Sequence, residues 1–548
     1  MVSSSSPMTC EPQVVIAGGG PIGMFLAAEL GSRGVRTLVV ERSREASTQA
    51  KVMQISFRTM EFCRRLGIAG EVEHWGFEPG YPMTNVFVTA LGGYELGRKA
   101  GEPVGYPGSP GHTEHSPQYQ VHCPQPWLEP VVEHRARSYP SVEILRGWSF
   151  ESFTETADGV TARITEIDSG AEHEVHAEFL VGCEGFGGKI VRQLGIPVTE
   201  RTIDYSLDIE FTTADLVREH DKGPAVRYTL VGPGGTWGTV VAVDGRYRWR
   251  LSVYDLDPDR VDELDSRELV ERAVGHPFDF EVIRRGRWKR RAAMAASFGR
   301  GRVFLAGDSA HCSPPNGGFG MNTGIADVMN LGWKIEAVLH GWAGPDLLDT
   351  YTVERRPIAQ VTLAESVTDY GRLMDDTAYP DVLEPGAAHD ERRREIGAEL
   401  VERSVRAWWP IGIHIGYGYS SSPIVCGVPG EWLTFDPYHY QPSTTPGFRA
   451  PHVWLEDGRS TLDLFGPSHV LLRIGEGADG ESLVDSAAAA GMPLAVHDLS
   501  GPDVTKFYDR HLVLVRPDGF IAWSGDEPPV DAGPVISTVR GDLGPRRS

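Results

Sequence analysis

The pattern of hydrophobic positions near the start of the chain predicts a strand, a helix and a second strand. Residues 14–17 are an apolar run, a glycine-rich turn follows, and small apolar residues then recur before a second apolar run that ends at Glu41. Apolar runs on both sides of a helical segment are typical of parallel strands that are buried on both faces. We therefore expect an α/β layer built on a parallel sheet.

The pattern changes farther along the chain. Residues 225–232 and 238–255 alternate between polar and apolar positions, which predicts an antiparallel sheet outside the first layer. Residues 321–340 and 389–408 have helical spacing, and short strands return after Pro423 between proline-rich turns. The predicted fold class is α/β, with a Rossmann-type domain, an inserted antiparallel β-sheet domain and a separate C-terminal domain.

Composition and charge narrow the range of partners. The 548 residues carry a net charge of -23, and basic residues are not clustered, so nucleic acid is not an expected partner. Glycines and Pro21 interrupt the longest apolar region, so no membrane partner is expected either. The six cysteines are scattered singly, without a CxxC or metal-type spacing. We expect a cytoplasmic protein without a bound metal and with a small-molecule substrate.

The first turn has the spacing of a dinucleotide-binding motif. Gly18, Gly20 and Gly23 follow a strand and open a helix, and Glu41 closes the next strand. Gly18 permits the tight turn, Gly20 lets a pyrophosphate approach the backbone, and the helix N-terminus supplies partial positive charge. An acid at the end of the second strand can accept hydrogen bonds from ribose. The motif predicts a dinucleotide site but does not separate FAD from NAD.

A second match to the same spacing occurs near the C-terminus, at Gly475, Gly477 and Gly480. Glu476 and Asp479 lie inside this loop and would repel a pyrophosphate. The second match therefore predicts an exposed loop between a strand and a helix rather than a nucleotide site.

Residues 301–335 contain the next chemically informative segment. An apolar strand ends in Gly307 and Asp308, and a Pro-Pro turn then leads through glycines into a helix that begins near Met321. Asp308 is placed to accept hydrogen bonds from a polyol such as a ribityl chain. The turn glycines leave room for a flat ring on bare backbone, and the helix N-terminus would stabilise negative charge on it. These glycines are Gly317, Gly318 and Gly320.

Three ordered motifs now carry a resemblance to a known family. They are the first glycine motif, the sequence "GDSAHCSPPNGGFGMNTGIADVMNLGWKI", and between them "FLVGCEGFGGKIVRQLGI". The chain resembles the single-component FAD-dependent aromatic hydroxylases, in the branch of phenol hydroxylase and 2,4-dichlorophenol 6-monooxygenase. In the middle motif Glu184 stands where the family usually has aspartate, and Lys189 where it usually has serine.

The resemblance implies non-covalent FAD, with NADPH or NADH and O2 as co-substrates and no separate nucleotide domain for the nicotinamide. Lys51 stands for an arginine that the family places near the cofactor, and Gln125 for a glutamine placed against it. The residues expected to bind the cofactor are Gly18, Gly20, Pro21, Ile22, Gly23, Glu41, Arg42, Lys51, Gln125, Glu184, Gly185, Gly307, Asp308, Pro315, Gly318, Gly320, Met321 and Asn322.

The resemblance also implies the domain limits. The FAD-binding domain is expected to comprise residues 11–76, 125–196 and 286–400, and the inserted substrate-binding sheet residues 77–124 and 197–285. A linker over 401–424 is expected to lead to a thioredoxin-like domain over 425–548, which lacks a CxxC and therefore has a structural or assembly role. We expect a homo-oligomer.

The implied activity is hydroxylation of a phenolic or similarly electron-rich ring, through a flavin C4a-hydroperoxide. A natural-product tailoring monooxygenase for a polyketide-type or pyridinol substrate is the alternative, with hydroxylation, epoxidation or Baeyer–Villiger insertion. A flavin-binding protein without catalysis is the alternative from another class. The candidate catalytic residues are Pro315 in the turn and Tyr247 and Trp249 on one face of the inserted sheet, with Arg246, Arg248 and Arg250 on the other face.

Overall fold

The computed structural model describes residues 11–51, 53–78, 80–100, 113–374, 377–404, 410–427, 435–475, 477 and 479–542. Its strands, in chain order, are β1 (Val14–Ala17), β2 (Thr37–Glu41), β3 (Gln54–Ile55), β4 (Asn85–Val88), β5 (Glu95–Lys99), β6 (Val121–His122), β7 (Val142–Arg146), β8 (Trp148–Glu155), β9 (Val160–Glu166), β10 (Glu172–Ala177), β11 (Phe179–Gly182), β12 (Val198–Thr212), β13 (Arg227–Gly232), β14 (Gly235–Ala242), β15 (Arg248–Val253), β16 (Glu281–Ala295), β17 (Gly299–Arg300), β18 (Val303–Leu305), β19 (His311–Cys312), β20 (His469–Ile474), β21 (Leu494–Leu499), β22 (Leu512–Val515) and β23 (Ile521–Gly525).

The helices lie mostly against these sheets. They are α1 (Pro21–Ser32), α2 (Phe57–Arg65), α3 (Ala69–His74), α4 (Gln125–Arg137), α5 (Lys189–Leu194), α6 (Ser266–Val274), α7 (Phe319–Leu339), α8 (Asp346–Leu373), α9 (Ala387–Ser404), α10 (Glu481–Ala489), α11 (Pro502–Phe507) and α12 (Gly533–Val539). Among the helices of the described ranges, none combines the length and the apolar content that crossing a bilayer requires.

A six-stranded sheet forms the centre of the first unit. Its strand order is β17-β18-β11-β1-β2-β7, and all neighbours are parallel except β17 and β18. The four residues of β1 are buried on both faces, as expected for a central parallel strand between layers of helices. Because the strands are parallel, the turns after β1, β11 and β18 all emerge at one edge of the sheet.

The inserted sheet has eight strands in the order β19-β16-β12-β15-β14-β13-β4-β5. Its neighbours are antiparallel except β4 and β13, which are parallel. The paired strands β12 and β16 are each 15 residues long, and β16 runs without interruption through the predicted domain boundary between residues 285 and 286. A boundary at that point falls inside a strand, and the domain limits as a whole stay predictions.

The C-terminal unit is a four-stranded sheet in the order β21-β20-β22-β23, with α10 and α12 in one hydrophobic cluster against it. β20 is parallel to β21 and antiparallel to β22. The same cluster includes Trp333 of α7, so the C-terminal unit packs directly on the helix that follows the Pro-Pro turn. The assignment of a thioredoxin-like fold to this unit stays a prediction.

Candidate active site

The glycine turn after β1 has three glycines with different surroundings. Gly18 has a φ of +107°, and a Cβ there would lie 2.3 Å from the carbonyl oxygen of Cys183. A Cβ at Gly23 would lie 2.0 Å from the carbonyl oxygen of Gly18. A Cβ at Gly20 would meet no atom within 4 Å. Packing and backbone conformation therefore require Gly18 and Gly23, whereas Gly20 opens on free space at the N-terminus of α1.

Glu41 is held beside this turn. Its Oε2 accepts a hydrogen bond of 2.6 Å from the backbone N–H of Gly19, and its Oε1 accepts one of 2.7 Å from that of Ser43. The carboxylate is thereby fixed at the edge of the sheet where the glycine turn emerges, and both Glu41 and Arg42 line the cavity described below.

Glu184, which replaces the usual aspartate, caps a helix. Its carboxylate oxygens accept hydrogen bonds from the backbone N–H groups of Lys189 (3.1 Å) and Ile190 (2.9 Å), at the start of α5. The Lys189 ammonium donates to Glu151 Oε2 at 2.6 Å, outside the cap. The unusual pair therefore stabilises the turn between β11 and α5, and Glu184 remains on the cavity wall.

Asp308 lies just after β18, on the opposite side of the same edge. The preceding Gly307 has a φ of +56°, and a Cβ there would lie 2.9 Å from Ile22 of α1. Asp308 is exposed to the cavity, but the surrounding protein separates it from bulk water, and this desolvation raises the pKa of its carboxyl group. Nearby positive charge, including Lys51, partly offsets the increase.

The Pro-Pro turn that follows is held by a side chain of α8. Ser366 of α8 donates hydrogen bonds to the carbonyl oxygens of Pro314 (2.7 Å) and Asn316 (3.1 Å). Gly317 and Gly318 have φ values of +77° and +67°, which other residues rarely adopt. The result is a stretch of bare backbone at the N-terminus of α7.

These segments surround one cavity of about 850 Å³. It extends from the glycine turn, past Asp308 and the Pro-Pro turn, to the eight-stranded sheet. Of the residues predicted to bind the cofactor, all line this cavity except Gly23, Gly307 and Asn322. Gly23 and Gly307 lie next to lining residues and shape the turns, as the glycine contacts above show.

Asn322 departs from its predicted role. Its Nδ2 donates to the carbonyl oxygens of Gln54 (2.9 Å) and Gly318 (2.7 Å), while its Oδ1 accepts from the backbone N–H of Ser56 (2.9 Å) and the hydroxyl of Thr59 (2.7 Å). All the hydrogen-bonding groups of the amide are therefore used within the protein. Asn322 ties the glycine backbone of the turn to α2 and does not face the cavity.

Two protein-family models match this chain. A model of the FAD-binding domain family matches residues 11–366, and a model of the C-terminal domain of aromatic-ring hydroxylases matches residues 443–542. The chain belongs to the FAD-dependent aromatic-ring monooxygenases. The residues matched by the first model include the glycine turn, Asp308 and the start of α7.

Several related proteins match almost the whole length of this chain. FAD-dependent monooxygenase apdD of Emericella nidulans is 33% identical over 94% of this chain and 87% of its own. The 2,4-dichlorophenol 6-monooxygenase of Cupriavidus pinatubonensis is 30% identical over 98% and 97%. RebC, a rebeccamycin biosynthetic enzyme solved with bound 7-carboxy-K252c, is 37% identical, with a TM-score of 0.89 over 97% of this chain and 100% of its own. Both predicted branches of the monooxygenase family are thus represented.

The pocket role predicted for Tyr247 and Trp249 is wrong. Trp249 is 0% exposed and packs in the core between the sheet and α6, with Phe211 and Ala242 as its cross-strand partners. Tyr247 lies in the turn before β15 and is 56% exposed to solvent. Neither lines the cavity. The opposite face of β15 carries Arg250, which lines the cavity instead.

Several cavity residues of this monooxygenase were not predicted. No short motif marks them. Four of them share the face of the eight-stranded sheet that carries Arg250, which only strand pairing reveals; they are Arg227, Val241, Arg284 and Trp288. The other four are Met83, Gln120, His122 and Val226.

Proposed function

We propose that this monooxygenase uses NADPH or NADH and O2 to hydroxylate an electron-rich ring of a fused-ring aromatic compound, as a tailoring step on a natural product. The observation that supports the proposal best is the continuity of the cavity from the glycine turn to the face of three adjacent strands, β13, β14 and β15. A surface of this width suits a ring system larger than one phenol. Simple phenols are the competing substrate class.

The glycine turn fits the pyrophosphate of FAD. Gly20 leaves free space where a side chain would stand, and the N-terminus of α1 directs backbone N–H groups and partial positive charge at the same place. Glu41, already held by Gly19 and Ser43, would accept hydrogen bonds from the adenosine ribose. These residues would hold the cofactor without a covalent bond.

The Pro-Pro turn and Asp308 fit the flavin end. Asp308 would accept hydrogen bonds from ribityl hydroxyls, and the backbone at Pro315, Gly317 and Gly318 would lie against the ring. When bound, FAD would supply the redox chemistry, taking a hydride from the nicotinamide and delivering one oxygen atom of O2 to the substrate. Pro315 lines the cavity in the turn before α7, which supports its predicted place at the reacting atoms.

The part of the cavity formed by the eight-stranded sheet and the residues beside it is called the substrate wall. Its apolar side chains exclude water. Met83, Val226 and Val241 are all at most 9% exposed, and Trp288 extends this surface toward Lys51, whose Nζ lies 6.0 Å from the ring centroid. A dry wall favours oxygen transfer to the ring over loss of oxygen as peroxide. The chain therefore contributes shape and dielectric, and the cofactor contributes the reactive group.

The function can be tested with purified holoenzyme. We expect yellow protein that releases FAD on denaturation, and NAD(P)H oxidation that a fused-ring phenol accelerates more than phenol itself. In an atmosphere of ¹⁸O2 the product should gain one labelled oxygen atom by mass spectrometry. Acceleration by simple phenols alone would favour the competing substrate class. A protein with FAD but no oxygenated product from any ring compound would contradict the proposal.

Asp308→Ala should weaken FAD binding at least about tenfold, because one charge-assisted hydrogen bond contributes roughly 1.5 to 3 kcal/mol. Asp308→Asn should fall between wild type and alanine, since it retains an acceptor without charge. Asp457→Asn, a change at a surface carboxylate that is 50% exposed and does not line the cavity, is the control and should bind FAD like wild type. Reconstitution of apoprotein followed by flavin fluorescence gives the dissociation constants.

The pH dependence provides a second check on Asp308. Its raised carboxyl pKa means that protonation, and with it loss of the charged acceptor, begins at a higher pH than for an ordinary aspartate. FAD affinity of wild type should therefore fall on acidification, and the fall should be smaller for Asp308→Asn. Equal FAD affinity of wild type and Asp308→Ala at every pH would show that this carboxylate does not contact the cofactor.

The choice between NADPH and NADH and the homo-oligomeric state remain predictions that rest on the family resemblance.

A further inference from the structure

We propose that Arg227 and Arg250 bind a carboxylate on the aromatic substrate, so that the cavity selects anionic ring compounds. The proposal rests on the proposed function, because it names the substrate class of the same cavity. It concerns the wall formed by β13, β14 and β15, at the end of the cavity away from the glycine turn.

Strand pairing places the two arginines on one face. Arg227 of β13 is the direct partner of Val241 in β14, and Val241 is the direct partner of Arg250 in β15. Residues paired in this way point to the same side of the sheet, and the two arginine backbones are about 9 to 10 Å apart, or two strand spacings. All three residues line the cavity. A flat ring resting on Val241 would have a guanidinium group on each side.

Two neutral polar side chains face the same region. Gln120 and His122 line the cavity and are each 8% exposed. The Oε1 of Gln120 and the Nε2 of His122 have no hydrogen-bond partner among the described residues. Burial, together with the charges of Arg227 and Arg250, lowers the pKa of His122 to about 3, so the imidazole is neutral near pH 7 and adds no positive charge to this region.

Among the described residues, the carboxylates that line the cavity lie away from this wall. Glu210 is the cross-strand neighbour of Arg250, but its carboxylate accepts hydrogen bonds from Arg248 (2.5 Å) and from the backbone N–H of Ala50 (3.3 Å), and it does not line the cavity. The acidic residues that do line the cavity lie in the segments around the predicted FAD-binding residues. They are Glu41, Glu45, Glu129, Glu184 and Asp308.

The arginine side chains are suited to a ligand. Arg250 donates from Nη1 to the carbonyl oxygen of Ala50, while its Nε has no hydrogen-bond partner in the described part of the chain. Burial and the neighbouring charge of Arg250 lower the pKa of Arg227. A carboxylate between the two groups would offset their mutual repulsion and replace the water that both lose in the cavity. The amide of Gln120 would add a hydrogen bond by donating its Nε2–H to the anion.

The test uses two probes of nearly equal shape, 3-hydroxy-2-naphthoate and 3-hydroxy-2-naphthamide. Both carry the same ring and hydroxyl group, and only the first is anionic. Dissociation constants for FAD-loaded enzyme are measured from the change in flavin absorbance and by calorimetry. We expect wild type to bind the carboxylate at least about tenfold more tightly than the amide, the factor for one charge-assisted hydrogen bond.

R250Q and R227Q should each reduce this preference to less than about threefold, while amide binding changes little. R250K, which keeps the charge without the planar fork, should retain part of the preference. R246Q is the control, because Arg246 lies in the turn before β15 with a side chain that is 57% exposed, and the preference should stay as in wild type. If R227Q does not fold with FAD, R250Q decides alone.

The results separate this proposal from the proposed function. Equal affinity of wild type for the two probes, binding of neither probe, or an unchanged preference in R250Q would overturn anion recognition. Oxygenation of the amide as efficiently as the carboxylate would leave the monooxygenase function standing and remove the anion selectivity. A preserved preference for the carboxylate without incorporation of ¹⁸O into any product would support anion recognition and contradict the monooxygenase function.

Discussion

Gly20→Val is expected to give a folded protein that contains no FAD. The backbone of Gly20 is extended, with a φ of -73°, so a valine can adopt it without strain. A Cβ at this position meets no protein atom within 4 Å. The two valine methyl groups would instead occupy the space that the pyrophosphate needs to reach the backbone N–H groups of α1.

The expected loss of affinity is large. Two charge-assisted hydrogen bonds of roughly 1.5 to 3 kcal/mol each correspond to a decrease of about 100-fold or more. The variant should elute colourless, with a circular dichroism spectrum that matches apo wild type, and should not recover flavin absorbance with added FAD. A yellow variant with wild-type FAD content would mean that the cofactor does not approach this turn.

The second glycine motif supplies the matched control. Gly477 follows β20 in an exposed loop that does not line the cavity, and it has a φ of +79°. Gly477→Val should keep FAD and NAD(P)H saturation, at a cost in stability of about 1 to 3 kcal/mol from the backbone conformation. If folded Gly477→Val loses NAD(P)H saturation instead, the C-terminal loop is a nicotinamide site and the use of one dinucleotide fold for both cofactors is wrong.

The segments expected to bind FAD could be predicted because each of them depends on local sequence. The strand β1 and the glycines after it lie within one short stretch of the chain, so the motif and the structure agree there. Asp308 and the Pro-Pro turn follow the same rule, since a strand, a tight turn and a helix succeed each other within a short segment. Where a residue's role is local, its type and spacing carry the information.

The substrate wall depends on long-range pairing, and there the prediction failed. Alternation along β15 separates Trp249 from Arg250, but it does not say which side α6 will cover. The apolar side chains of α6 cover the face of Trp249, which leaves the face of Arg250 to the cavity. The juxtaposition of Arg227 and Arg250 requires the register of two successive hairpins, which no motif specifies. Asn322 illustrates the same limit, because three of its four partners lie in residues 54–59, far from it in the chain.

The long helix α8 was also missed, and it joins the two parts of the molecule. Glu354 of α8 accepts hydrogen bonds from Lys334 of α7 (2.7 Å) and from Arg516, just after β22, at 2.6 and 2.9 Å. Arg516 also binds Asp518 at 2.6 Å. The two cations and two anions balance, and their side chains are at most 2% exposed. The opposite charges hold the pKa of Glu354 well below its usual range, despite its burial.

Arg516→Met should lower the free energy of unfolding by about 3 to 5 kcal/mol, because two buried carboxylates would remain with Lys334 as their one cation in the network. Arg510→Met is the control. Arg510 pairs with Asp526 at the surface, where both side chains are at least 43% exposed, and its loss should cost less than about 1 kcal/mol. Urea unfolding followed by circular dichroism and by flavin fluorescence measures both changes. Since α7 begins at the Pro-Pro turn, Arg516→Met should also release FAD at a lower urea concentration than Arg510→Met does. Equal urea midpoints of FAD release for the two variants would show that the buried network does not stabilise the FAD site.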